Sequence, residues 1–442
     1  MARKSSRRSE PDDNVVVTPA GRSRDDAGRD LLDRAAKQLR RATLIPVLLL
    51  VPLIFLPLRN PAEALADRSV NVALHLVATL LVFALARRLG MRALVAPATA
   101  LLFAVHPVHV ETVAAPAGRT ELLAAVLSVA ALLAFTHAGP WRICGTIVSR
   151  GRAAAHAAAL LAGICLLAAL TASPTAMAVP ALMLGLDRLF RARGDAGRWP
   201  WWLSRAAPFA PAAAAVVGYL ALRSAGISWH APVPQTTAGT AGLPAALALL
   251  ARHVGSLFYP VNPPSHPGGA PLHPPTGLFE PLPLLGVAIL GFLFWVAARP
   301  LLRQQRTGFE SRASSATLLF LLPYAVLAGL ATGERFVFAE RFLYFPSVGF
   351  CMLLALAIGA VSTGRLPGRE PRRSGPPSGG EVRLAVFTLA AMISGFSILT
   401  WARCLEWRDI GPTQGTVSRA IRFGENGSSC AGGFPSTIQR DR

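Results

Sequence analysis

The chain has 442 residues, 52% of them hydrophobic and 15% charged. Its charges are gathered between long apolar runs, which excludes an ordinary water-soluble domain and points to an all-α, polytopic transmembrane helical bundle. The formal net charge of +21 would fit a nucleic-acid binder, but the basic residues follow membrane topology, so no nucleic acid is expected as a partner.

Residues 1–41 are polar and rich in Ser, Arg and Asp. They read as a disordered cytoplasmic tail; the alternative for "DLLDRAAKQLRRA" is a short amphipathic helix at the inner membrane surface. A spanning helix needs roughly 20 apolar residues to cross about 30 Å of hydrocarbon. Bounded by the nearest charges, the candidate runs are 42–58, 69–86, 93–110, 122–141, 153–186, 206–222, 281–298, 313–333, 342–364 and 384–402. The run 153–186 is too long for one crossing and holds Ser173 and Pro174 near its middle, so it reads as two helices joined by a tight turn. The expected organisation is a multi-span membrane domain over 42–402 with about eleven spans, an exterior loop at 223–280 and a short exterior tail at 403–442.

Cytoplasmic loops collect arginine. With the N-terminus placed inside, the cytoplasmic loops hold Arg87, Arg88 and Arg92, then Arg142, Arg150 and Arg152, then the stretches 188–205, 299–312 and 365–383, each rich in arginine. The other loops are poor in basic residues, which predicts an integral, multi-pass protein with a cytoplasmic N-terminus and an exterior C-terminus.

The unusual polar clusters all fall on the predicted exterior side. They are Glu63 and Asp67 after the first span, "AVHPVHVETVAAPAGRTELLAAV" at 104–126, "TASPT" at 171–175, "GERFVFAER" at 333–341 and "ARCLEWRD" at 402–409. Ionisable groups beside hydrocarbon are costly unless paired or lining a wet cavity, which makes a site the default reading. Structural alternatives stand beside it. His106 and His109 either cap the third span or bind a ligand. Glu111 either braces Arg119 or does chemistry. Glu334, Arg335, Glu340 and Arg341 either form a salt-bridged collar or bind substrate, and Tyr344 and Phe345 read as interface aromatics. The five cysteines are scattered, with no His/Cys spacing that suggests zinc; Cys404 and Cys430 share the tail and are the one candidate disulfide.

"HPVHVETVAAPAGRTELLAA" resembles the corresponding block of the membrane-embedded family C glycosyltransferase-like proteins, the transmembrane and tetratricopeptide-repeat O-mannosyltransferases and their bacterial relatives. "SVNVALHLVATLLVFALARRLG" (69–90), "SPTAMAVPALMLGLDRLF" (173–190), "AERFLYFPSVGFCMLLA" (339–355) and "TWARCLEWRDIGPTQGTVSRAI" (400–421) agree with the same family in order. The resemblance implies a transferase that moves a sugar, typically mannose, from a polyprenyl-phosphate carrier to a protein hydroxyl at the outer face. The expected partners are therefore membrane lipid, the lipid-linked sugar and a protein acceptor, with no cofactor or metal beyond the donor substrate. Arg119, Arg335 and Arg341 are the candidates for holding the leaving phosphate, with His106, His109 and Glu340 as further substrate-binding candidates. Glu111 is the candidate base, with Glu63 and Asp67 as first-loop alternatives.

The chain departs from the family pattern in three places. The first loop is "RNPAEALADR" and lacks an Asp pair, the Ser-Lys-Glu turn of relatives is Ser173-Pro174-Thr175, and no tetratricopeptide repeat follows the "WRD" block. These departures keep a second reading open, a catalytically degenerate relative acting as a non-enzymatic membrane scaffold.

Overall fold

The computed structural model describes residues 43–58, 65–91, 94–115, 118–143, 146–148, 151–191, 206–227, 242–260, 270–271, 275, 277–303, 308–331, 337–362 and 379–425, with side chains over a slightly narrower set. Two units divide the chain, Met1–Thr43 and Leu44–Arg442. The expected cytoplasmic tail lies in the first and outside the described residues; everything below concerns the second.

The protein is helical, and every apolar run of the sequence is occupied by a helix. In order these are α1 (Thr43–Leu58), α2 (Leu65–Arg88), α3 (Val95–Val105), α4 (Val110–Ala114), α5 (Gly118–Phe135), α6 (Arg152–Ala172) and α7 (Ala178–Phe190). They continue with α8 (Ala210–Ser224), α9 (Leu243–Phe258), α10 (Pro281–Leu302), α11 (Gly308–Ala331), α12 (Pro346–Ser362) and α13 (Gly379–Glu425). Two antiparallel ribbons interrupt the helices: β1 (Trp141–Ile143) pairs with β2 (Thr146–Val148), and β3 (Ala270–Pro271) pairs with β4 (Val337–Phe338).

Among the described residues, five segments are long and apolar enough to cross a membrane: Arg68–Arg88, Gly118–Phe135, Arg152–Ala172, Pro281–Leu302 and Arg383–Arg408. The expected number of about eleven spans is not confirmed, and several runs are broken or shortened for local physical reasons. The run 93–110 is not one helix, because Pro107 disfavours the helical conformation at the residue before it; His106 is extended at φ −69°, ψ 125°, and α3 stops after 11 residues. The run 122–141 ends as a helix at Phe135, before the β1–β2 ribbon where Trp141 is fully buried and stacks on Phe190, although Gly118–Phe135 is still long enough to cross. The run 153–186 does divide where Ser173 and Pro174 predict. Ser173 is extended, its hydroxyl accepts from the Thr175 N–H, and a 3-10 turn leads into α7.

Lipid-facing surfaces are legible from exposure. Leu160, Leu161 and Ile164 on α6, Phe292, Phe294 and Trp295 on α10, and Val386, Phe387 and Ile398 on α13 are all exposed, a pattern that suits hydrocarbon and not water. Helix association in lipid depends on close packing rather than on apolar burial. α7 places Val179, Leu182, Met183 and Leu186 on one buried stripe. Gly286 of α10 lies against the Leu247 backbone of α9, and Gly349 of α12 against the Ala316 backbone of α11; a Cβ at either would sit 2.2 Å or 2.3 Å from a carbonyl oxygen. α9, expected within an exterior loop, is thus docked tightly on a spanning helix.

The helix ends sort into two groups. The arginine-bearing ends meet one another: Arg88 donates to the Thr136 carbonyl at 2.6 Å, Arg312 donates to the Gly90 carbonyl at 3.1 Å, and Arg299 and Arg303 face Glu310 at 3.9 Å and 3.7 Å. Gly90, at φ 79°, closes α2 in a Schellman motif with Gly90 N–H on the Arg87 carbonyl and Met91 N–H on that of Ala86. The ends carrying "HPVHVE", "SPT" and "AER" form the second group. α13 runs past the expected end of its span to Glu425; Cys404 within it is a buried free thiol, and Cys430, its expected partner, lies outside the described residues.

Gly286→Val should force α9 away from α10 and lower the thermal midpoint by the equivalent of about 1–3 kcal/mol. Gly255→Val on α9, where an added Cβ meets nothing within 4 Å, should leave it unchanged. Fluorescence-detected thermal unfolding of the two variants in detergent checks the contrast.

Candidate functional site

α3 ends inside the bundle, and a helix end leaves up to four carbonyls without intrahelical donors. These carbonyls belong to buried residues, so neighbouring side chains must satisfy them. His75 of α2 donates from Nε2 to the Ala104 carbonyl at 3.1 Å, Thr400 of α13 donates to that of Val105 at 2.7 Å, and Arg403 of α13 donates from Nη1 to that of Pro107 at 2.7 Å. The short helix α4 is finished in the same way: Asn71 of α2 donates from Nδ2 to the Val113 carbonyl at 3.1 Å and that of Ala115 at 3.4 Å.

These bonds assign the histidine tautomers. With Nε2 of His75 donating, its Nδ1 accepts from the Tyr344 hydroxyl at 2.8 Å. His106 accepts the Val108 N–H on Nδ1 at 3.2 Å and donates from Nε2 to the Leu257 carbonyl of α9 at 3.1 Å. His109 meets the Ser347 hydroxyl from Nε2 at 2.8 Å, and that hydroxyl donates onward to the Tyr344 carbonyl. His75, His106, His109 and Tyr344 are all buried and in ring contact. Both nitrogens of His106 are therefore committed to main chain, the capping role the sequence left open. Tyr344 is a core residue and not an interface aromatic.

Glu111 does not brace Arg119. Its Oε2 accepts the N–H groups of Glu340 at 2.8 Å and Arg341 at 3.2 Å, so it holds the start of the 3-10 turn Glu340–Leu343. Its Oε1 has no hydrogen-bond partner and faces Arg341 Nη1 at 3.7 Å. The Glu111 side chain is 7% exposed and that of Arg341 23%, so the arginine opens to the outside while the carboxylate sits behind it. Burial pushes the Glu111 carboxyl above its usual range; the Arg341 charge and the two N–H donors oppose the shift.

Glu340 is buried and paired with Arg403. Burial raises its carboxyl too, against the attraction of Arg403 and with added repulsion from Glu111. Arg119 donates from Nε to Asn71 Oδ1 at 3.1 Å. Of the other sequence candidates, Glu63 and Arg335 lie outside the described residues, as does Glu334, and Asp67 has its backbone in α2 without a described side chain. The structure thus brings Glu111, Glu340 and Arg341 into one cluster, with the histidines packed beneath. Asn71 and His75 were missed, and Arg403 fell within the expected "ARCLEWRD" cluster without being singled out. Asn71 and His75 carried a signal, two polar residues at i and i+4 in an apolar run and so on one helical face; Arg403 looked like the charge that ends a span. Among the described residues, no group of three His, Cys, Asp or Glu side chains is arranged to hold a metal ion.

No family model matches the chain. It is 47% identical over 66 residues to the protein O-mannosyl-transferase Tmtc1 of Drosophila melanogaster, 15% of this chain and 8% of that one. It is 40% identical over 77 residues to a protein O-mannosyl-transferase of Caenorhabditis elegans, 17% of this chain and 11% of that one. The chain thus spans about a tenth of the length of these relatives. Among solved structures, the oligosaccharyltransferase of Archaeoglobus fulgidus tethered to an acceptor peptide gives a TM-score of 0.41 at 16% identity, over 82% of this chain and 46% of that one, a likeness too slight to argue from.

Arg403→Ala strands Glu340 as an unpaired buried acid, which typically costs about 3–5 kcal/mol. Loss of Arg403 raises the Glu340 carboxyl further, so the native state then holds its proton to higher pH than the unfolded chain does. The deficit should be largest at neutral pH and shrink on acidification as Glu340 is protonated. Thermal midpoints of variant and parent at pH 5 and pH 8 check the sign.

Proposed function

We propose that the protein is a membrane glycosyltransferase that moves a sugar, mannose by its similarity to the O-mannosyl-transferases, from a polyprenyl-phosphate carrier to a protein hydroxyl at the outer membrane face. The observation that carries this reading is Glu111 Oε1: a buried carboxylate oxygen left without a hydrogen bond, 3.7 Å from an arginine that is itself partly exposed. Leaving a buried acceptor unpaired costs stability, and this one stands beside a cation that reaches the surface, where it can take a proton from a bound substrate.

In the proposed reaction the acceptor hydroxyl oxygen attacks the anomeric carbon and its proton passes to Glu111 Oε1. The bond from that carbon to the phosphate oxygen breaks, and its electron pair leaves with the polyprenyl phosphate. Arg341 takes the phosphate charge, with Arg119 and Arg335 as further cationic candidates. The geometry links the two roles. Arg341 is the strongest influence holding the Glu111 carboxyl down, so an arriving phosphate that neutralises Arg341 makes Glu111 a better base at the moment one is needed. His106 and His109 support the turn beneath the site, and α9, bonded to His106 through Leu257, covers it.

Glu111→Gln and Arg341→Ala should each lower transfer from polyprenyl-phosphate mannose to a Ser/Thr peptide by at least about 10²-fold, with normal levels in the membrane. The parent rate should rise with pH through a single ionisation above the ordinary carboxylate value, since burial raises Glu111. Scintillation counting of labelled mannose in the peptide, in proteoliposomes, reads all three; unimpaired transfer by Glu111→Gln sinks the reading.

A further inference from the structure

Glu121 stands in the first turn of α5, one helix beyond Glu111, and is not needed for any helix end. Its Oε1 accepts the Ser173 hydroxyl at 3.0 Å, and its Oε2 faces the Thr175 hydroxyl at 3.4 Å. The two hydroxyls are 3.0 Å from each other, and Ser173 is itself fixed by the Thr175 N–H. The result is a carboxylate and two hydroxyls on a rigid extended turn. Ser173 and Thr175 are buried, and Glu121, although densely surrounded, keeps part of its surface accessible. α5 packs on the turn Glu340–Leu343 that carries Arg341, and the Arg341 charge acts on Glu121 as well as on Glu111.

A carboxylate offers about four lone-pair directions. Two of those on Glu121 are taken by Ser173 and Thr175, and the accessible remainder can accept only donors. A phosphate has none to give and is repelled. Sugar hydroxyls have several, and they accept as well as donate, which suits a turn that displays both kinds of group. We propose that Glu121, Ser173 and Thr175 form the subsite that binds the hydroxyls of the donor sugar. This rests on the transferase reading and deepens it. Arg341 holds the phosphate, Glu121 grips the ring attached to it, and Glu111 meets the acceptor. The turn Ser173-Pro174-Thr175, a departure from the family pattern, then has a use of its own: Pro174 holds Ser173 extended so that its hydroxyl reaches Glu121.

The test is binding, measured on the full chain in nanodiscs with a short-chain polyprenyl-phosphate mannose and with the same polyprenyl phosphate lacking the sugar. The parent should bind the sugar-bearing lipid more tightly. Glu121→Gln should weaken that lipid by about tenfold or more, the loss expected for a hydrogen bond to a charged group, and leave the bare phosphate within twofold. Thr175→Val keeps shape and removes one hydroxyl; it should give a smaller loss of the same selective kind, and it carries the test if Glu121→Gln does not fold. Unchanged affinity for both lipids in these variants, with the parent binding both, overturns the subsite and leaves the transferase reading standing. A parent that binds neither lipid overturns both.

Discussion

A helix that stops inside an apolar bundle must find donors for its last carbonyls from its neighbours, and most of this structure's polar detail answers that demand. Pro107 ends α3 one turn short of where the apolar run ends. The carbonyls of Ala104, Val105 and Pro107 then draw in His75, Thr400 and Arg403. Those three residues come from α2 and α13, which are distant in sequence, so the break in one short helix fixes where two others lie. Arg403 in turn needs an anion, and Glu340 supplies it. The turn bearing Glu340 is held by Glu111, which returns the chain of dependence to the block that contains Pro107.

Seen through that demand, the polar residues divide by what is left over. His106 spends both ring nitrogens, Asn71 bonds two carbonyls and Arg119, and Arg403 bridges Pro107 and Glu340. Their replacement would cost structure before chemistry. Glu111 spends one oxygen and keeps the other, and Arg341 presents its side chain outward. Glu121 accepts hydroxyls but caps nothing. The groups free to act on a substrate are a minority of those that first look like a site, and they sit around one guanidinium.

The sequence made the helical class legible, because long apolar runs leave few other options, and the alternation of arginine-rich loops put "HPVHVE", "SPT" and "AER" on a common side. It did not reveal which runs cross fully. Pro107 and the Trp141 ribbon shorten two of them, and both effects depend on where the chain packs. Within the site, Glu111 stood out by its motif. Its partner did not, since Arg119 is eight residues away and Arg341 more than two hundred, and only the fold decides between them. Arg403 was hidden because a charge at the edge of an apolar run looks like an end, whereas here it points inward and is almost wholly buried.

The β3–β4 ribbon is only two residues on each side, pairing Ala270 with Phe338 and Pro271 with Val337. Its second strand ends two residues before Glu340, whose N–H holds Glu111. α9, from the same segment as β3, is fastened to His106 through Leu257. The segment is therefore tied through α9 to His106 and through β3 to the strand that leads into the Glu340 turn. The position of the Glu111 carboxylate thus depends on pairing made by residues far from it in sequence.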